Sequence, residues 1–306
     1  QPNTLFPYTT LFRSPPAPQP DRIALITGCS SGIGLCAARR LAARGWHVYA
    51  TARRAESVAE LADLPESSAG RLTARRLDVT APDDVDRVVA EIHERHGAVD
   101  LLVNNAGYGQ IGAVEELPVE AWRRQMETNF LGAIALTRAC LPPMRRNVRG
   151  RIINVSSVVA HVALPLMGAY CASKHALDAF SVALRRELSP YHILVVLIEP
   201  GPIETAFRTH ATHMQETHGV GTDPAYVAAH RAMNAHWQSR FGRQNTSADA
   251  VARLIARAAE ARRPRLRYRI TPVAHWLPPL LAILPERLVD AAFARRMRGL
   301  RDSTAD

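Results

Sequence analysis

The chain predicts an α/β fold, a single doubly wound parallel sheet of about seven strands with helices on both faces. Three observations carry this expectation. Short apolar runs rich in Val, Ile and Leu alternate with longer stretches of helical period between residues 21 and 270. The first run leads through a glycine-rich turn, Gly28-Cys29-Ser30-Ser31-Gly32-Ile33-Gly34, straight into a helical pattern. At 306 residues and 47% hydrophobic content, the chain also has the material for one large core.

Taken in order, strands are expected at 23–27, 47–51, 72–77, 99–103, 152–155, 192–198 and 265–270. Helices are expected at 33–44, where Gly45 is placed to cap the end, at 56–64, and at 82–96, which Pro82 opens. A longer helical pattern covers 119–140, and Pro142-Pro143 should stop it. The helix carrying Tyr170 and Lys174 should extend to about residue 188, and another covers 247–261. Strand, glycine turn and helix together set a pyrophosphate on free N–H groups at a helix N-terminus. In that arrangement Gly28 permits the tight turn, Gly32 the close backbone approach, and Gly34 the packing of helix on strand.

The flanks read differently. Residues 1–20 hold LFPYTTLFRS, which looks like a translated sequencing adapter, then a proline-rich run; they are expected to be an artefactual or disordered leader. No basic region followed by a long apolar core marks them as a signal peptide. Residues 206–245 show no clean period and hold many of the 12 histidines, as expected of a lid over the substrate. Residues 271–306 form an apolar and basic extension, with Trp276-Leu277-Pro278-Pro279-Leu280-Leu281-Ala282-Ile283-Leu284 followed by a helix with arginines opposite its apolar face. That extension must cover a pocket, a partner subunit or a membrane surface.

Net charge is +10, but the arginines are spread along the whole length, so no nucleic-acid surface is expected. Four cysteines without metal-ligand spacing fit a reduced, cytoplasmic protein, and no metal site is expected.

The chemistry centres on Tyr170-Cys171-Ala172-Ser173-Lys174. Residues four apart share a helix face, so a phenol lies beside an ammonium. A neighbouring cation lowers a phenol pKa from about 10; a shift of roughly three units takes about 4 kcal/mol. Lys174 is the one lysine among 38 basic residues, in a chain that otherwise uses arginine throughout. This exception points to a chemical requirement for a compact ammonium, which a wide planar guanidinium does not replace. Thirteen residues upstream, Ser157 ends an apolar run.

The T-G-x-x-x-G-I-G turn, the N-N-A-G at residues 104–107, and the Ser157, Tyr170 and Lys174 spacing together resemble the short-chain dehydrogenase/reductase family. The resemblance covers about residues 22–270 and implies a Rossmann-like fold. It implies a catalytic set of Asn129, Ser157, Tyr170 and Lys174: serine on the carbonyl, tyrosine as proton donor, lysine on the nicotinamide ribose, asparagine anchoring a relay water. It implies a dinucleotide held by Thr27, Gly28, Ser30, Ser31, Gly32, Ile33, Gly34, Asp78, Val79, Asn105, Ala106, Gly107, Tyr170, Lys174, Pro200, Gly201, Ile203 and Thr205. Family members that use NAD(H) carry an acid at the end of the second strand; here Ala52 is followed by Arg53, so the resemblance implies NADP(H), with Arg53 on the 2′-phosphate. One position departs from the pattern, Ala160 where the family often has glycine. The expected activity is alcohol–carbonyl interconversion on a lipophilic small molecule, nearest to hydroxysteroid and retinol dehydrogenases, in a homodimer or homotetramer with peripheral membrane contact through the extension. The alternative is a non-catalytic dinucleotide sensor or scaffold on the same fold.

Overall fold

The computed structural model describes residues 22–63, 70–204, 220–239 and 246–302; the leader and Thr205 lie outside them. Seven parallel strands form the expected sheet: β1 (Arg22–Ile26), β2 (Trp46–Ala52), β3 (Arg71–Arg76), β4 (Leu101–Asn104), β5 (Gly150–Val155), β6 (Ile193–Glu199) and, after a short β7 (Ile203–Glu204) and β8 (Thr246–Ser247), β9 (Arg267–Arg269). Their order is β3-β2-β1-β4-β5-β6-β9, while β7 pairs with β8 separately. The helices are α1 (Gly32–Ala42), α2 (Ala55–Ala62), α3 (Pro82–His96), α4 (Val119–Met126), α5 (Gly132–Arg146), α6 (Gly168–Glu187), α7 (Pro224–Ser239), α8 (Ala248–Glu260), α9 (Pro272–Ile283) and α10 (Glu286–Asp302).

Period-two alternation explains the two cores. On β1, Ala24 and Ile26 face one side with Ala37, Ala38 and Leu41 of α1 and Ile255 and Ala256 of α8. Ile23 and Leu25 face the other, against Val88 and Ile92 of α3, Leu136 and Met144 of α5, and Leu184 of α6. Both faces are covered, which is why the strands read as continuous apolar runs. The chain winds one way from β1 to β3 and the other way from β4 onward. That reversal opens a crevice at the carboxyl ends of β1 and β4, where ligands bind in open α/β sheets.

Three expectations need correction. Pro142 and Pro143 do not stop the fifth helix, which runs to Arg146. Met144 is fully buried beyond them, packed closely enough that a side chain at Gly150 would strike it, and this packing outweighs the lost backbone bonds. The preceding helical stretch is not one α-helix either; a π-helical turn at Glu127–Leu131 separates α4 from α5. The aperiodic lid region contains the helix α7. Its Tyr226, Ala229 and Met233 share one face and pack with Ile111 and Leu166 and with Met297 of α10; alanines at many of the remaining positions leave that stripe with little contrast in the sequence.

Candidate active site

The glycine turn forms as the residues demand. Gly28 has φ +70°, and a Cβ there would lie 2.9 Å from the Ala106 Cα. A Cβ on Gly34 would sit 2.3 Å from the Gly28 carbonyl oxygen, so helix and turn touch through bare backbone. Ser31 caps α1 without a side-chain hydrogen bond to the helix, and Ser30 and Ser31 are exposed at that end. The β4 end is sewn to this turn. Asn105 Nδ2 donates to the carbonyls of Thr27 at 2.8 Å and Gly28 at 3.1 Å, and the amides of Asn105 and Ala106 donate to Thr27 Oγ1 at 3.0 and 2.9 Å. Thr27 and Asn105 therefore shape the crevice from within. The Asp78 side chain binds the amide and hydroxyl of Thr80 at 2.9 and 2.7 Å. Val79 packs where any side chain on Gly132 would collide with it.

Arg53 is exposed directly after β2. Burial raises the Tyr108 phenol pKa, and the charges of Arg124 and Arg53 partly oppose that, which places Arg53 near the loop after β4. The cradle of bare glycine backbone, the uncapped helix N-terminus and this cation fit a dinucleotide phosphate chain.

Asn129 sits in the π-helical turn with its side chain reaching the loop after β4 and the helix α6. Its Oδ1 accepts from the Tyr108 amide at 3.0 Å, and its Nδ2 donates to the Tyr108 carbonyl at 2.9 Å and to Ser173 Oγ at 3.1 Å. Ser173 in turn donates to the Tyr170 carbonyl at 2.8 Å. Such turns insert one residue into a helix and often mark functional positions. A side chain on Gly107 would meet Asn129 Oδ1 at 2.9 Å.

Ser157 lies at the end of β5. The amide of Ser156 donates to the Ile198 carbonyl at 2.8 Å and that of Val158 to the Pro200 carbonyl at 3.0 Å, so the serine is straddled by bonds to β6 and the turn after it. Tyr170 is buried with Val158, Val159, Met167, Cys171 and Ala274 of α9. Burial raises its phenol pKa to about 12, although a hydrogen bond with Ser157 works in the other direction. The expected lowering by Lys174 is not found: burial dominates, and the opposing hydrogen bond comes from Ser157. The ammonium lies 5.8 Å from the ring centroid and donates to the Val155 carbonyl at 2.8 Å. Burial also lowers the pKa of Lys174, to about 8. Ser157, Tyr170, Lys174 and Asn129 thus converge at the carboxyl ends of β4 and β5. The Pro200 carbonyl accepts from Val158 beside Ser157, Gly201 lies against Thr271, and Ile203 packs with the core on the α1 side; Thr205 lies outside the described residues.

The match to known proteins agrees with this geometry. The family model for short chain dehydrogenase covers residues 22–216. The chain belongs to the short-chain dehydrogenase family. It is 39% identical over 204 residues to the 3-ketodihydrosphingosine reductase of Bacteroides thetaiotaomicron, covering 67% of this chain and 72% of that protein. It is 31% identical over 285 residues to the NADPH-dependent 3-dehydrocapnine reductase of Ornithobacterium rhinotracheale, covering 91% and 98%. A solved short-chain dehydrogenase from Streptomyces avermitilis superposes with a TM-score of 0.73 at 30% identity, over 92% of this chain and 98% of that one. As a short-chain dehydrogenase the protein is an oxidoreductase, and its sheet is of the Rossmann type.

Sequence patterns left two side-chain groups of this short-chain dehydrogenase unforeseen. His230 of α7 meets Glu116 at 2.8 Å with both side chains buried, fastening that helix to the loop after β4. Glu199, at the end of β6, lies at the centre of a cluster with His161, Asp178, Arg267 and Arg269. A signal for the second was present: a glutamate ending an apolar, largely buried strand needs charged partners.

Proposed function

We propose that the protein is an NADP(H)-dependent oxidoreductase interconverting a secondary alcohol, or an aldehyde-derived alcohol, with its carbonyl on a lipophilic substrate. The observation that carries this is the placement of Tyr170, hydrogen-bonded to Ser157, in an apolar shell that Ala274 and Leu277 of α9 help to build. When bound, NADP(H) supplies or accepts the hydride. Ser157 holds the substrate oxygen, and Tyr170, protonated at neutral pH because its pKa lies near 12, donates the proton in the reductive direction. That proton would be replaced through Lys174, the cofactor's ribose hydroxyl and a water held near Asn129, whose amide anchors the relay without giving up a proton itself. A non-catalytic scaffold would have no use for a buried tyrosine–lysine pair in this setting. Four free cysteines suit a cytoplasmic setting.

The lipophilic substrate is supported by α9. Its inner face, Ala274 and Leu277, packs on the Tyr170 cluster. Its outer face leaves Trp276, Leu280 and Ile283 exposed at helical spacing, with Leu288 nearby in sequence. No helix among the described residues is long and apolar enough to cross a membrane. The outer face fits peripheral contact with a membrane surface, and the long helices α5 and α6 fit pairing into a homodimer or homotetramer. Each buried substrate methylene contributes about 0.8 kcal/mol, roughly fourfold in affinity. Across a homologous series of ketones, kcat/KM measured by NADPH consumption should therefore rise at least about tenfold from the shortest to the longest chains. A flat series would overturn the lipophilic assignment while leaving the reaction class intact.

NADPH should be preferred to NADH by at least about tenfold, or roughly 1.4 kcal/mol, the least expected from a charge-assisted phosphate contact. Arg53→Ala should erode this preference by weakening NADPH binding while NADH binding holds. Equal affinities for the two cofactors in the parent protein, measured by fluorescence titration, would remove Arg53 from the site.

A further inference from the structure

Two catalytic segments meet on Glu199. His161 lies four residues beyond Ser157, just past the short 3₁₀ turn at Val158–Ala160, and its Nε2 meets Glu199 Oε1 at 3.1 Å. Asp178 lies four residues beyond Lys174, on the same face of α6. Both oxygens of Asp178 bind Arg267, with Nη2 to Oδ2 at 2.9 Å, and Arg267 Nη1 also donates to Glu199 Oε1. Arg269 Nε holds the other Glu199 oxygen at 2.8 Å. The side chain of Glu199 is 1% exposed. Ligand atoms of His161, Asp178 and Glu199 all lie within 4.8 Å of one another, close enough in principle for a cation. Here two guanidinium groups already supply the positive charge.

We propose that Glu199 is a positioning residue that holds the Ser157 loop and the Tyr170–Lys174 helix in register, through His161 on one side and Arg267 on the other. Buried ion pairs contribute little net stability beside a well-packed apolar core, because desolvating the charges opposes their attraction. What they supply is direction. The bonds on Glu199 fix the loop after β5, the middle of α6 and the strand β9 relative to one another. Ser157 itself sits between backbone bonds to Ile198 and Pro200, the two neighbours of Glu199, so a shift of the glutamate moves the serine. Burial would raise the Glu199 pKa, but hydrogen bonds from His161, Arg269 and Arg267 outweigh it and hold the carboxyl at about 2, so Glu199 stays ionised throughout the working range. A displacement of 1 Å between reacting groups can lower a rate about 100-fold.

The proposal rests on the carbonyl–alcohol reading above, and the test separates the two. His161 is the member to change, since its side chain is partly exposed and the Arg267 and Arg269 pairs survive its loss. His161→Phe keeps a ring and removes the donor; His161→Gln restores an N–H in reach of Glu199. In His161→Phe, kcat should fall at least about 30-fold, with ketone KM and NADPH Kd within about threefold of the parent. His161→Gln should recover most of that loss. Amide exchange, read without turnover, should quicken at residues 157–161 and at 170–175 in His161→Phe and return towards the parent in His161→Gln. The proposal is overturned if kcat of His161→Phe stays within twofold of the parent, if His161→Gln is no better than His161→Phe, or if the exchange pattern is unchanged. A parent protein inactive on every carbonyl tested would sink the reaction reading, and the exchange pattern alone then decides the role of Glu199.

Discussion

Tyr170→Phe should bind NADPH as tightly as the parent protein and lose between about 10²- and 10⁴-fold in kcat, the range that a positioned acid supplies. The substitution removes one oxygen and nothing else. The ring remains packed among Val158, Val159, Met167, Cys171 and Ala274, so the shell around it has no cavity to close. Fold and stability should accordingly survive. Loss of the hydroxyl takes a partner from Ser157, whose Oγ still accepts from the Val159 amide at 3.3 Å, so melting temperature should change by no more than a few degrees. What disappears is a proton donor. A phenol whose pKa burial has raised to about 12 is fully protonated at pH 7 and can give its proton to a developing alkoxide, a stronger base than the phenolate left behind. The measurement is single-turnover hydride transfer beside fluorescence titration of NADPH. If the variant keeps more than about a tenth of kcat, the proton comes from elsewhere and Tyr170 is only part of the wall.

Much of this site was legible because its parts are local. A strand buried on both faces must be a continuous apolar run; a turn without side chains must be glycine; a tyrosine and a lysine four apart must share a helix face. The parts that were not legible depend on partners far along the chain. The π-helical turn at Asn129 is held by Tyr108, 21 residues away, and Ser173, 44 residues away. The fifth helix passes Pro142 and Pro143 because Met144 is locked into a core built by other elements. The phenol pKa was expected to fall, but it rises, since sequence spacing displays the neighbouring charge and hides the depth of burial that sets the shift. Glu199, Asp178 and Arg267 come from three elements, and only the oddity of a carboxylate closing an apolar strand points towards them. Arg267 and Arg269, two apart on a strand, then lie on one face, where both reach the same glutamate.

Lys174→Arg should abolish turnover, to below about 1% of the parent kcat, although the formal charge is kept. The reasons lie in the pocket as much as in the chemistry. Lys174 is buried beneath β5 with its ammonium on the Val155 carbonyl. A guanidinium is wider and carries five N–H donors in a rigid plane, so a pocket shaped to an ammonium would leave some of them unpaired. Lysine also has an escape that arginine lacks. Its pKa is lowered from 10.5 to about 8 by burial, so it can shed its proton within reach of neutral pH, whereas arginine cannot. The pH dependence of stability should reveal this directly. Below pH 8 the lysine is charged in both folded and unfolded states, and the full penalty of burying it, about 3 kcal/mol, weighs on the fold. Between pH 8 and 10.5 the unfolded chain holds a proton that the folded one has released, so this group makes stability climb with pH. Tyr170 acts oppositely, its contribution being lost only as pH rises from about 10 to about 12. Urea denaturation of the cofactor-free protein at pH 7.5 and pH 9.5 should therefore show a gain for the parent from this residue, and Lys174→Arg should lack it while being less stable at both pH values. If Lys174→Arg instead retains more than a tenth of kcat, any cation at this place suffices, and the single lysine of the chain is an accident of composition.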